Sequence, residues 1–390
     1  MQIHVAGRLQ HTEEYYFSKK LREIDQLNQN GEKVINLGIG SPDLPPHPSV
    51  IQTLSEYAEQ PNTHGYQNYR GIPALRQAIG DWYSRYYGVS LDPAKEILPL
   101  IGSKEGIVHV CMTYLQAGDE ALIPNPGYPT YASAVRLSEA TAIPYTLDAG
   151  RNWLPDLDVL AKLDLSRVKL MWLNYPHMPT GAAAPASFFG ELVAFAKQHQ
   201  ILLCHDNPYS FILNEQPQSI LAVDGALEVA IELNSLSKSG NMAGWRVGML
   251  AAAEERINEI VRFKSNMDSG MFLPVQLAAA KALSLGPDWY ASLNETYRNR
   301  RKKVYQLLDG LGCVYNRDQV GLFVWAHIPG GYADGYALSD EILQKARVFI
   351  TPGGIFGSGG DAYIRVSLCA TEETFDTAIN RITKAAVTLH

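Results

Sequence analysis

The apolar run Val229–Leu233 ends in Asn234-Ser235-Leu236-Ser237-Lys238-Ser239, with Gly244-Trp245-Arg246-Val247-Gly248 close behind. A lysine just past a buried strand is partly desolvated, which lowers its pKa and frees the amine to act as a nucleophile. Ser235, Ser237 and Arg246 surround it with the donors that hold a phosphate. The plainer reading of one loop lysine is a solvated surface residue, so its neighbours must decide.

Other apolar runs end in the same way. Ile201–Cys204 leads into His205-Asp206-Asn207-Pro208-Tyr209. An aspartate at the end of a buried strand needs a partner, because an unpaired buried carboxylate is costly. A turn amide would serve, and so would a protonated heterocyclic nitrogen, for which a buried carboxylate is the fitting counter-ion. Tyr209 stands nearby as a second hydrogen-bonding group. His205 reads as a satisfied wall or core residue, since no second metal ligand has suitable spacing. Ile97–Ile101 runs into Gly102-Ser103-Lys104-Glu105-Gly106 and then an apolar helix. Such a turn presents free N–H groups and the positive end of a helix dipole to a phosphate, although Gly-Ser is also an ordinary cap. Ala121–Ile123 leads to PNPGYP, whose prolines stiffen a turn displaying Tyr128. That ring either packs in the core or stacks on a flat ligand.

The elements that would position these groups follow from periodicity. Between about 97 and 252, short apolar runs alternate with helix-like stretches such as Phe188–His199. The remaining runs are Ala142–Tyr145, Val168–Leu173 and Val247–Ala251. The alternation predicts a mostly parallel seven-stranded sheet between helices, with ligands beyond the carboxyl ends of its strands. After Leu283 a long charged helix, strand-like VGLFVWAHI and YIRVSLCA, and a closing helix predict a smaller α+β domain. The expected division is an N-terminal arm over 1–48 that joins the small domain, a large domain over 49–285, and the small domain over 286–390.

The chain has 390 residues, 46% hydrophobic and 19% charged, with a formal net charge of −7. That balance gives no reason to expect nucleic acid or an anionic membrane as partner, so an anionic ligand must be captured by local features. Cys111, Cys204, Cys313 and Cys369 are widely separated and read as reduced thiols. The opening residues lack the apolar core of a signal peptide, and no run is long enough to span a bilayer. A cytoplasmic protein is the expectation.

Together and in this order, NLGIGSPD, GSKEG, PNPGYP, DNPY, SLSKxxxxxGxRVG and YIRVSL make the chain similar, over nearly its whole length, to the class I/II aminotransferases. These are pyridoxal-5′-phosphate (PLP) enzymes of the aspartate-aminotransferase fold, fold type I. The resemblance implies that Lys238 holds the cofactor as a Schiff base and later shuttles a proton. It implies that Asp206 pairs with the ring nitrogen, that Tyr209 bonds the ring 3-oxygen and that Tyr128 stacks on the ring. Ser103 and Lys104, through their backbone amides, together with Ser235, Ser237 and Arg246, would hold the phosphate. Arg365 would clamp the substrate α-carboxylate, with Ile39 and Gly40 closing over it. Tyr66 in YQNYRGIPALR matches a tyrosine that reaches the phosphate of a neighbouring subunit, which implies a homodimer with a shared active site.

One position departs from the pattern. The family usually carries Asn-Pro-Thr-Gly after its central strand; here the segment is Asn174-Tyr175-Pro176-His177-Met178-Pro179-Thr180-Gly181. Met178 stands where an asparagine would donate to the ring 3-oxygen, and methionine cannot donate. The turn should persist, and either Asn174 or His177 is near enough in sequence to compensate. Asn174 and Met178 are therefore counted with the cofactor contacts.

The implied reaction is ping-pong transfer of an amino group from an L-amino acid to a 2-oxo acid. A PLP lyase of the same fold (a carbon–sulfur lyase or an aminocyclopropane-carboxylate-forming enzyme) would use the same groups. A non-catalytic amino-acid or PLP sensor is disfavoured by the intact Lys238 and Arg365. The particular substrates are not readable. Tyr15, Tyr16, His64 and Trp153 are candidate wall residues, and Met267–Leu273 is either a pocket wall or core.

Overall fold

The computed structural model describes residues 3–9, 14 and 16–387; Tyr15 lies outside these. A two-residue strand, β1 (Ile35–Asn36), comes first. Then follow β2 (Ile97–Leu100), β3 (Glu120–Asn125), β4 (Thr141–Thr146), β5 (Val168–Leu173), β6 (Leu202–Asp206), β7 (Ala230–Ser235) and β8 (Gly248–Ala251). Each of the seven apolar runs is a strand, and β2–β8 form one sheet in the order β2-β8-β7-β6-β5-β3-β4.

The sheet is apolar because both faces are covered. In β5, Leu170 and Trp172 point to one side, into a core shared with the helices Ser103–Tyr114 and Pro129–Leu137. Met171 and Leu173 point to the other, among residues of the helices Pro73–Tyr87 and Ala186–His199. Strands buried on two faces need no polar alternation, which is why the sequence shows continuous runs. Proline opens the helices Pro73–Tyr87 and Pro129–Leu137, where its missing N–H costs nothing.

The 24-residue helix Pro287–Gly310 leads to β9 (Phe323–His327), β10 (Val348–Phe349), β11 (Thr351–Pro352) and β12 (Tyr363–Ser367). The strands β11-β12-β9 form an antiparallel sheet, and β1 pairs in parallel with β10. A third core joins Phe17, Ile24 and Leu37 to Tyr297, Val304, Trp325 and Phe375, so the N-terminal segment packs with the C-terminal elements. No helix among the described residues is long and apolar enough to cross a membrane.

Candidate active site

Six of the seven central strands run one way; β8 runs against both neighbours, β2 and β7. Gly248, its first residue, is level with Leu100 on one side and Ser235 on the other. The reversal therefore delivers Arg246 to the same edge as the carboxyl ends of β2 and β7. There a cavity of about 560 Å³ opens, and every residue named above as a cofactor or substrate contact lines it, Tyr66 excepted. Tyr66 is 93% exposed on its own chain.

Lys238 lies in the one-turn helix Leu236–Ser239, capped by Ser235, whose Oγ accepts from the Ser237 N–H at 3.0 Å. Its Nζ donates to the Gly40 carbonyl at 2.6 Å. Burial holds this ammonium below the usual lysine range; Arg365 and Arg246 push the same way, and Cys369 and Asp206 oppose. Asp206 ends β6. Its Oδ2 accepts from the Tyr131 hydroxyl at 2.8 Å, and its Oδ1 is buried with no hydrogen-bond partner among the described residues. Burial pushes this carboxyl up to about 6, against the Tyr131 bond and the nearby His205 and Lys238. His205 faces away: its Nδ1 lies 2.9 Å from Glu232 and its Nε2 3.0 Å from the Tyr175 carbonyl, both side chains wholly buried. It is a satisfied core residue.

At the Ser103 end, backbone approach is close. Gly102 has φ +86°, and a Cβ there would overlap the Arg246 guanidinium. A Cβ on Gly248 would lie 2.5 Å from the Ser103 amide nitrogen. Arg246 itself has φ 57°, a left-handed conformation that a non-glycine residue adopts at a cost. Burial, with help from Arg246, lowers the Lys104 pKa. Tyr128 caps the helix Pro129–Leu137 and meets Tyr131 edge-on at 5.6 Å between centroids.

At the opposite end Arg365, in β12, is 4% exposed. Its Nη2 donates to the Gly38 carbonyl at 2.8 Å and its Nη1 approaches the Met178 Sδ at 3.1 Å. The guanidinium carbon lies 3.8 Å from the Phe323 ring centroid, 4.7 Å from Phe356 and 5.6 Å from Phe17. The loop that carries Ile39 and Gly40 is pinned at both ends. Asn36 Oδ1 accepts from the Gly38 and Ile39 amides, and Asp43 takes two bonds from Arg300 at 2.6 and 2.8 Å. One short loop thus offers carbonyls to both Lys238 and Arg365.

The Pro-Thr-Gly turn persists around Met178, with Gly181 N–H donating to the His177 carbonyl at 2.7 Å. His177 does not line the cavity; its Nδ1 lies 2.8 Å from Thr180 Oγ1, and burial depresses its pKa to about 3. Asn174 does line it, yet its Nδ2 donates to the Asp206 carbonyl at 2.6 Å and its Oδ1 accepts from the Met178 amide. Its amide therefore braces β6 against the turn. Tyr16, His64 and Trp153 do not line the cavity, and neither does any residue of Met267–Leu273; Met267 and Phe272 are exposed. Phe17, Leu21, Phe323 and Phe356 line it instead.

These residues fit PLP. The orphaned Asp206 oxygen, on a carboxyl whose charge is destabilised by burial, suits a protonated ring nitrogen. Ser103, Ser235, Ser237 and Arg246 form a cradle that glycines keep open, and Lys238 is a depressed, buried amine. Comparison with known proteins agrees. Residues 32–382 match the model of the family described as aminotransferase class I and II. The chain is 40% identical over 380 residues to an LL-diaminopimelate aminotransferase of Dehalococcoides mccartyi, covering 97% of this chain and 98% of that one. It is 41% identical over 379 residues to one from Desulforudis audaxviator, covering 97% and 96%. The substrate-bound BacF structure from Bacillus subtilis superposes with a TM-score of 0.94 at 36% identity, covering 98% of both chains. The chain belongs to the class I and II aminotransferases, and it is a PLP-dependent enzyme.

Proposed function

We propose that amino-group transfer between an L-amino acid and a 2-oxo acid runs on the following division of labour. Lys238 Nζ would hold the cofactor covalently, and its amine, held depressed by burial, would carry the proton to and from the substrate Cα. When bound, PLP supplies an electrophilic carbonyl carbon and a conjugated ring that takes up the electron pair left at Cα. Asp206 would face the ring nitrogen and favour its protonated form, Tyr209 would bond the ring oxygen and Tyr128 would cover the ring face, while Asn174 holds the Asp206 strand in place. Ser103, Lys104, Ser235, Ser237 and Arg246 anchor the phosphate. Arg365 orients the carboxylate, with Ile39 and Gly40 above it, so that the Cα–H bond faces Lys238. The observation that carries this reading is the single cavity shared by a depressed lysine, a half-satisfied buried aspartate and a buried arginine.

The working unit in this reading is a cytoplasmic homodimer in which Tyr66, exposed on its own chain, reaches the partner's phosphate site. The small domain comprises 1–48 and 286–390, closing against 49–285. The test is a half-reaction without acceptor, using the common L-amino acids and LL-diaminopimelate, the substrate in the relatives' names. Transfer predicts a 2-oxo acid and an aminated cofactor in equal amounts. Release of ammonia or a thiol would instead assign lyase chemistry.

A further inference from the structure

Outside the catalytic cavity three ligating side chains meet. Glu105 and His109 stand one turn apart on the helix Ser103–Tyr114, and Asp268 follows the helix Glu254–Lys264, which packs against the first. Their ligand atoms lie within 4.8 Å of one another, and none of the three residues lines the cavity. His109 is wholly buried, and neither of its ring nitrogens has a hydrogen-bond partner among the described residues. Its Nε2 lies 3.3 Å from Glu105 Oε1 without making a hydrogen bond, and Phe263 meets the ring edge-on at 5.4 Å. The backbone aims both carboxylates. Glu105 Oε2 accepts from the Ile101 N–H at 2.6 Å, and Asp268 Oδ1 accepts from the Gly270 N–H at 2.9 Å.

The charges are unequal here. The buried Lys264 ammonium donates to Asp268 Oδ2 at 2.6 Å and answers one carboxylate. Among the described residues Glu105 pairs with no lysine or arginine; its only ionisable partner is His109. Two idle imidazole nitrogens in a dry setting are costly, and a cation beside them and the Glu105 carboxylate would remove that cost. We propose that Glu105, His109 and Asp268 hold a divalent transition-metal cation, zinc fitting best, with water completing the shell. The 3.3 Å between Nε2 and Oε1 is close to the roughly 3.4 Å that separates two ligand atoms of a tetrahedral zinc site. An imidazole in the set selects zinc over magnesium and calcium, which take oxygen ligands. The ion is structural: it staples the helix that begins at Ser103 to the loop that follows Lys264, away from the reacting atoms.

The test uses the PLP-loaded enzyme, dialysed against a chelator and then titrated with zinc alone by calorimetry, with bound metal counted by elemental analysis. One zinc per chain should bind, and magnesium or calcium at roughly 1,000-fold excess should not displace it. Glu105→Gln keeps an acceptor for the Ile101 amide, and His109→Leu keeps the packing against Phe263. Each should weaken zinc binding at least roughly 100-fold. Without metal, His109→Leu should melt above the wild type, because two unsatisfied nitrogens are gone. Zinc at 100 times its dissociation constant should raise the wild type's folded-to-unfolded ratio about 100-fold and leave the variant unchanged. Absence of stoichiometric binding would overturn the proposal. So would zinc retained by both variants, which would put the ion on the cofactor, and so would a metal-free His109→Leu that melts below wild type, which would show the imidazole already satisfied.

Discussion

Asp206 gives a prediction in which the missing partner of a buried group becomes measurable as stability. In the cofactor-free protein its Oδ2 is held by Tyr131, its Oδ1 has no partner, and burial pushes the carboxyl up to about 6 from an ordinary 3.8. A rise of about two pK units corresponds to about 3 kcal/mol of differential interaction. For an acid with a raised folded pKa, the folded state holds the proton more firmly than the unfolded one. Stability from this group is therefore fully present below about pH 4 and is lost as pH rises through about 6. Asp206→Asn keeps an acceptor for Tyr131 and cannot ionise. The cofactor-free variant should match the cofactor-free wild type at pH 4 and exceed it by about 3 kcal/mol at pH 8, roughly 3–6 °C in Tm. With PLP added the order should reverse, because the wild type gains a cationic partner for the carboxylate and the variant does not. The assay is a thermal melt of both proteins from pH 4 to 8, with and without PLP. A variant less stable than wild type at pH 8 without PLP would refute the argument that Asp206 is a strained, cofactor-seeking charge.

Three further outcomes follow from the same geometry. Arg365→Lys keeps the charge but loses the two-pronged grip, so KM for the amino donor should rise roughly 100-fold while PLP affinity stays the same; steady-state kinetics and PLP titration check both. Arg300→Met removes the two bonds that pin Asp43 and one to the Leu368 carbonyl at 3.1 Å. It should cost about 2 kcal/mol in the melt, and raise KM more than it lowers kcat because the loop carrying Gly38 and Gly40 loosens. In the proposed arrangement Met178→Asn places a donor beside the ring oxygen, which favours the deprotonated form of the bound chromophore. The midpoint of the visible-spectrum pH titration should fall by roughly one unit; an unchanged or higher midpoint would show that Met178 does not face that oxygen.

The seven strands were legible because burial on two faces restricts residue type, and the polar residues at their ends stood out against those apolar runs. An arginine after a Gly-x turn or an aspartate after an apolar run has few explanations. The path of β8 was not legible. Periodicity carries no direction, and only the antiparallel register places Arg246 beside Ser103 and Ser235. Tyr131 could have been suspected three residues after Tyr128, but its bond to Asp206 spans 75 positions. The apolar lining contributed by this chain was not legible for a plainer reason. Phe17, Phe323 and Phe356 have the type and spacing of core residues, and they are core residues that also face the cavity. Tyr16 and Trp153 look more distinctive in sequence yet pack against Tyr336 and Trp325 instead. Asn174 lines the cavity, but its two amide bonds are made within the fold.

The central claim is that Lys238 carries the cofactor and yields it to an amino acid. Borohydride reduction of the PLP-loaded protein, followed by peptide mass analysis, tests this directly when done before and after adding an amino donor without acceptor. The account predicts one cofactor fixed to Lys238 before the donor is added, and its loss from that residue in step with 2-oxo acid formation afterwards. Attachment at another lysine, or a label on Lys238 that persists while 2-oxo acid accumulates, would contradict it.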